Sequence, residues 1–365
     1  MNSRERFECA CSHKEPDRVP IDYLAHPRID KRLKSHYGIK TEEDLLDILG
    51  CDFYYLSSRD MSQNESCLSV YKGPRLEMTD SERICPLGIR WQRSVYDSKF
   101  TVDDAIKGPL ENARTKADVL NFAWPKAEWF DMEPLGMECE KHCEKIIVGG
   151  FWSGIFGDSY RMLGFENFLL NMAMRPDLIK TLVSRMTELY LELNEKMFSE
   201  LKGKIDVWFF GNDFGDQKSL LFSEEMFSEF FLGSIRQLTA MARSYGLRVM
   251  MHSCGAISRI IPMLIEAGVE LLDPVQVTAE GMAAVELKKQ FGDKIVFHGA
   301  IDTQHILPMG TPKEVHDHAE ATIEILSSGG GYIFAPCNVI QPDTPVENVV
   351  AMYQAAKKHK IQRRR

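Results

Sequence analysis

The feature that most limits how this chain can fold is a run of apolar segments of strand length, each followed by a stretch with helical periodicity, repeated from Lys145 to near the C-terminus. Strands are predicted at 145–150, 205–210, 247–251, 269–272, 294–298 and 331–335. Helices are predicted over 164–202, interrupted near Pro176, and over 223–245, 256–267, 282–291, 312–328 and 345–359. Alternation of this kind builds parallel βα units. Two earlier segments, 19–24 and 51–56, also read as strands, among helices at 3–12, 27–36, 41–49 and 132–144. Eight such units fit an α/β fold of the (β/α)8 TIM-barrel type better than an open doubly wound sheet, which usually carries a Gly-rich phosphate loop after its first strand. Neither Gly149-Gly150 nor Gly329-Gly330-Gly331 matches that loop. Residues 67–101 break the rhythm with short alternating segments around Gly73-Pro74 and Pro86-Leu87-Gly88, and are predicted to be a small β-meander inserted in a single domain spanning 1–365.

A net charge of −9 gives no electrostatic support for binding nucleic acid or an anionic membrane. The basic stretches Lys357-Lys358-His359-Lys360 and Arg363-Arg364-Arg365 are expected to be a solvated end. No apolar run approaches the roughly 20 residues of a membrane span, and the polar Met1–Arg6 lacks the pattern of a secretory leader. A cytoplasmic location is therefore expected, with the nine cysteines as reduced thiols available for the core or for metal binding. A homodimer is compatible with the chain, but no pattern demands one.

In a barrel, chemistry gathers at the C-terminal ends of the strands. His252 and Cys254 end the 247–251 segment; two residues apart, they face one side if strand geometry persists, and Gly255 lets the chain turn. Alone, the pair reads equally as a hydrogen-bonded His and a core Cys. Cys337, just past the 331–335 strand, lies at the same barrel end. One imidazole and two thiols are three ligands for Zn²⁺ with a fourth position open, the pattern of a catalytic site. Asp213 and Asp302 follow strands and are candidate catalytic groups, as base, substrate anchor or partner of His252; an ordinary role of Asp in turns is the alternative. Tyr23, Trp152, Asn212, Gln276 and His298 are candidate substrate-binding residues, with His298 alternatively a satisfied core histidine. Cys139, His142 and Cys143 share one helix face away from the mouth, and read as core thiols with a capping His.

Pro16-Asp17-Arg18-Val19-Pro20, Gly211-Asn212-Asp213-Phe214-Gly215, His252-Ser253-Cys254-Gly255, Asp273-Pro274-Val275-Gln276, Phe297-His298-Gly299-Ala300-Ile301-Asp302-Thr303 and Ile340-Gln341-Pro342-Asp343 resemble segments of the uroporphyrinogen decarboxylase superfamily, over nearly the full chain. The resemblance implies the same barrel. In the superfamily's true decarboxylases the first strand leads into Arg-Gln-Ala-Gly-Arg. Here it leads into Leu24-Ala25-His26-Pro27-Arg28, with a single arginine, whereas a polycarboxylate substrate needs paired donors once desolvated. The zinc-dependent, corrinoid-linked methyltransferases of the superfamily carry His-x-Cys followed much later by Cys, which His252, Cys254 and Cys337 match. The resemblance thus implies Zn²⁺ as cofactor and methyl transfer between a corrinoid (cobalamin) on a partner protein and a small thiol or methoxy substrate. Decarboxylation of a porphyrinogen or other carboxylic acid is the alternative enzyme reading, and a zinc- or corrinoid-binding docking module the non-enzymatic one.

Overall fold

The computed structural model describes residues 1–56, 70–79, 81–96 and 100–359; Lys360, Arg363–Arg365 and, of the expected insertion, residues 67–69, 80 and 97–99 lie outside these. Seven parallel strands form one curled sheet, in the order β1 (Phe53–Tyr55), β5 (Ile146–Gly149), β6 (Val207–Gly211), β7 (Arg248–His252), β8 (Leu271–Val275), β9 (Val296–Ile301) and β10 (Tyr332–Pro336). The intervening β2 (Glu82–Ile84), β3 (Arg90–Tyr96) and β4 (Phe100–Lys107) form a separate antiparallel sheet. The expected meander is therefore real, but its strands run from 82 to 107.

The expected first strand, 19–24, is reduced to isolated bridges, Ile21 to Phe334 and Ala25 to Ile340. Proline explains the loss: Pro20 has no N–H to give a ladder. The segment still spans the gap between β10 and β1. The Phe334 amide donates to the Pro20 carbonyl and the Asp22 amide to the Phe334 carbonyl, each at 2.8 Å. On the other side, the Asp52 amide donates to the Ile21 carbonyl at 2.8 Å, and the Ile21 amide donates to the Asp52 carboxylate at 2.8 Å. Arg6 and Arg18 bind the same buried carboxylate, each at 2.7 Å. A side chain thus stands in for a missing rung of the ladder.

Alternate strand residues point inward. One buried cluster takes residues from all seven strands, among them Phe53, Val148, Phe209, Met250 and Ile333. Phe7, on helix Ser3–Cys11, joins it edge-on against Phe53. The opposite faces of the strands pack against the helices in a larger core. The helices begin where the residues dictate. Thr41 and Ser223 accept the amides of Asp44 and Met226 as N-caps. Pro262 opens Ile261–Glu266, which is shorter than the predicted 256–267. A further helix, Gly157–Leu163, follows β5. No helix among the described residues is long and apolar enough to cross a membrane.

Candidate functional site

His252 closes β7 beside Asp273 of β8, its partner in the strand register. The His252 Nδ1–H donates to Asp273 Oδ2 at 2.5 Å, which directs Nε2 towards the mouth. There Nε2 lies 3.3 Å from Cys254 Sγ and 3.4 Å from Asp213 Oδ1. Imidazole, thiol and carboxylate are all within 4.8 Å of one another. The loops that carry them are themselves fixed. The Cys254 amide donates to Asp213 Oδ1 at 2.9 Å, and the Gly255 amide to Gln276 Oε1 at 2.8 Å. Gly255 has φ +91°, and a Cβ there would lie 2.5 Å from the Gly215 backbone, so the close crossing of the two loops requires glycine.

Behind His252 runs a buried chain of charges. Asp273 Oδ1 accepts from His298 Nδ1 at 2.6 Å, and His298 Nε2 donates to Asp22 Oδ2 at 2.9 Å. The Tyr55 hydroxyl donates to the same Asp22 oxygen. With a carboxylate at each nitrogen, His298 is placed to donate from both, as an imidazolium does. Burial opposes that charge, but Asp273 and Asp22 outweigh it and raise His298 to about 9. Burial likewise opposes a charged His252, yet the Cys254 sulfur, Asp213 and Asp273 hold it well above its ordinary value. Asp273 pays the reciprocal cost of burial and is still held low by the two imidazoles. Asp213 is held low, against burial, by His252, the Cys254 amide and the positive charge of Arg161.

Two cavities meet at this group, sharing Asp213, Asn338 and Val339. The smaller, of about 290 Å³, is walled by Trp152, Phe209, Tyr160, Arg161 and Asn212, with His252 at its base. The other, of about 520 Å³, is lined by polar groups that include Cys254, Gln276, Asp302 and Cys337. Of the residues expected to bind metal, His252 and Cys254 come together and are joined by Asp213. Cys337 stands apart from them, its thiol donating to the Val275 carbonyl at 3.1 Å, and burial pushes that thiol up to about 12. Asp302 accepts the amides of Gln304 and His305, and so shapes its own loop while facing the larger cavity. Asn212 is tied to the Phe156 amide at 2.7 Å. Tyr23 donates to Asp30 at 2.6 Å, and neither it nor His298 lines either cavity. Cys139 is buried, His142 stacks on Tyr54, and Cys143 is exposed; these three form no metal-type group among the described residues.

The Trp152 indole is seated against Gly211, where a Cβ would fall 2.1 Å from the ring. Gly211→Ala is therefore expected to push the indole into the smaller cavity. It should cost about 1–3 kcal/mol by overpacking, read as a lower urea midpoint together with a shifted tryptophan emission.

The family model for "Uroporphyrinogen decarboxylase (URO-D)" matches residues 132–359, more than half of the chain and the part that carries the whole Asp213–His252–Cys254 group. The chain belongs to the uroporphyrinogen decarboxylase family. This URO-D family protein is 26% identical over 145 residues to a methylated-thiol–coenzyme M methyltransferase of Methanosarcina mazei, covering 40% of this chain and 36% of that one. It is 30% identical over 135 residues to the methylcobamide:CoM methyltransferase MtaA of Methanosarcina barkeri, covering 37% of each. The chain thus spans little more than a third of the length of these two relatives. A uroporphyrinogen decarboxylase of Coxiella burnetii is 23% identical over 290 residues, covering 72% of this chain and 71% of the other. A solved methyltransferase from Methanosarcina mazei superimposes with a TM-score of 0.68 at 18% identity, covering 98% and 99% of the two chains, and shares the fold.

Sequence reasoning assigned no role to Asp273, Asp22, Tyr160 or Arg161 in this URO-D family protein. Asp273 carried a usable signal: it directly follows the predicted strand 269–272, as His252 follows 247–251, and the register sets the two side by side. Asp22 could not be found that way, since its strand is not a regular one. Tyr160 and Arg161 come from the unpredicted helix after β5.

Proposed function

We propose that this URO-D family protein is a zinc-dependent methyltransferase, moving a methyl group between a corrinoid (cobalamin) on a partner protein and a small thiol or methoxy substrate. The observation that carries the reading is the convergence of Asp213, His252 and Cys254 at the barrel mouth. The donor set fits zinc, which takes nitrogen, sulfur and oxygen ligands, and His252 has the outer carboxylate partner usual for a metal-binding histidine. Cys337 completes the set when its thiol turns from the Val275 carbonyl towards the cavity it shares with Cys254. The names of two relatives support methyl transfer. Arg28 is exposed and lines neither cavity, so among the described residues a polycarboxylate tetrapyrrole finds no cluster of cations.

Zinc held there supplies a Lewis acid that favours the deprotonated form of a thiol. The chain's own residues do the rest. Asp273 keeps the His252 Nδ1 proton in place, so that Nε2 faces the ligand side. Trp152 and Phe209 give the smaller cavity, where the small substrate sits, an aromatic wall. Asp213 fixes the Cys254 loop through its amide, and Asp302 offers a carboxylate to polar atoms in the larger cavity. That larger cavity is the side from which the corrinoid partner exchanges the methyl group.

The test is anaerobic demethylation of methylcobalamin by the zinc-loaded protein with a small thiol, followed by the visible absorbance of the cobalamin. Zinc- and thiol-dependent conversion to cob(I)alamin is expected. No conversion with thiols, no methylation of cob(I)alamin by methoxy compounds, and release of CO₂ from uroporphyrinogen would instead establish the decarboxylase.

A further inference from the structure

A third cavity, of about 200 Å³, lies at the end of the barrel opposite the mouth. Leu271 and Val296, the first residues of β8 and β9, are part of its lining, which places it at the N-terminal ends of the strands. Cys11, which ends helix Ser3–Cys11, and His13 just beyond also line it. Arg243 of helix Gly233–Ser244 and Lys294, two residues before β9, complete its polar lining with Glu270. None of these residues lines either cavity at the mouth.

The turn entering β8 and the chain leaving the first helix are both pinned here. The Thr239 hydroxyl donates to the Ala267 carbonyl at 2.5 Å, and the His13 Nδ1–H donates to the Gly292 carbonyl at 3.0 Å. Gly268 has φ +95°, and a Cβ there would lie 3.3 Å from Arg243 Nη1, so the guanidinium rests against this turn. Glu270 is the only carboxylate in the lining, and it is already engaged: Arg248 Nη1 donates to it at 2.7 Å, while Nη2 donates to Glu8 at 2.7 Å. Burial holds the Cys11 thiol in its neutral form. Arg243 and Lys294 are exposed, and neither has an ion pair or a side-chain hydrogen bond among the described residues.

A single exposed cation is ordinarily left to water. Two that share one cavity, with its carboxylate already paired, repel each other and together attract an anion. The cavity is smaller than the roughly 300–1,000 Å³ of ordinary organic ligand sites, so its occupant has few heavy atoms. A guanidinium fork and an ammonium point charge both suit tetrahedral oxyanions. A phosphate dianion meets both charges, whereas chloride or a monocarboxylate leaves one unmet.

We infer that this cavity binds a phosphate group, free or as a small ester, through Arg243 and Lys294. The site stands apart from the mouth and does not depend on the chemistry proposed there. Its lining comes from the N-terminal helix and from the second half of the barrel, so phosphate joins the two and stabilises the folded chain by mass action.

Phosphorus-31 line broadening tests this, with inorganic phosphate and glycerol 3-phosphate titrated against the full chain at constant ionic strength. The wild type should bind with a Kd of about 1 mM, the scale of two charge-assisted hydrogen bonds. Arg243→Gln and Lys294→Gln should each weaken binding about tenfold with far-UV circular dichroism unchanged, and Arg243→Lys should keep part of it. The wild-type urea midpoint should be higher in phosphate than in chloride of equal ionic strength, by a margin that disappears in the double variant; a general salt effect would survive there. Tighter binding of the ester than of inorganic phosphate upholds the site with an ester as its ligand, and binding of inorganic phosphate alone upholds it with the free ion. No broadening up to about 20 mM, far above the expected Kd, overturns the inference without any variant. Phosphate affinity that is unchanged in Arg243→Gln and in Lys294→Gln places the ion elsewhere and overturns it too.

Discussion

Cys254→Ala is expected to lower the zinc content of the purified protein from about one atom per chain to background, since a site with three protein ligands loses most of its affinity with any one of them. Cys254 is the proposed ligand to change first. Its sulfur faces His252 Nε2 at 3.3 Å, and its backbone amide, which an alanine keeps, is what holds Asp213. The substitution therefore removes the donor while leaving the loop intact. Cys143→Ala, at an exposed thiol remote from the barrel mouth, is the control and should retain full zinc. Cys337→Ser decides whether the third ligand joins: loss of zinc places Cys337 in the set, and full zinc content with full turnover removes it. Elemental analysis after reconstitution reads all three. A Cys254→Ala protein with undiminished zinc would sink the metal reading and return His252 and Cys254 to hydrogen-bonding roles.

The second large effect lies deeper. His298→Gln should cost about 3–5 kcal/mol, because it strands buried carboxylates on both sides: Asp22 and Asp273 are 1% and 3% exposed. The pH dependence separates this charge from simple packing. His298 is raised to about 9 in the folded chain, against about 6.5 when unfolded. The folded state thus binds the extra proton, so the stabilisation is complete below pH ~6.5 and is lost as pH rises through 9. Wild-type urea midpoints should fall between pH 6.5 and 9, whereas the His298→Gln midpoint should begin lower and stay nearly level across that window. Parallel profiles for the two proteins would show that His298 carries no such charge.

Much of the barrel was legible because its helices and inner strands obey strong local rules. Pro176 divides Phe165–Met174 from Pro176–Glu200, and Ser223 caps the next helix, both as their residue types dictate. The failures have equally local causes. The alternating residues of 19–24 look like a strand, yet Pro20 removes a donor and the ladder passes to the Asp52 carboxylate. The strand predicted to end at 272 continues through Pro274 to Val275, since its ladder is interrupted between Leu272 and Val275 and tolerates proline there. His252, Cys254, Asp213 and their two cavities could be read from strand ends. Tyr160 and Arg161 could not, because they stand on a short helix without a capping side chain.

The seam at residues 20–22 gives this protein an order of assembly. Asp22 meets His298 across 276 residues of sequence, and its carbonyl accepts the Tyr353 hydroxyl across 331. Contacts between such distant positions form late, after the entropy of closing a long loop has been overcome. Asp213, His252, Cys254 and Asp273 lie on or just beyond three successive strands and are expected to gather early, whereas the final carboxylate behind them should arrive only when the N-terminal segment is clasped between β10 and β1. A nascent chain is therefore expected to carry an electrostatically unfinished site until its last strand is in place, so that closing the ring also completes the site.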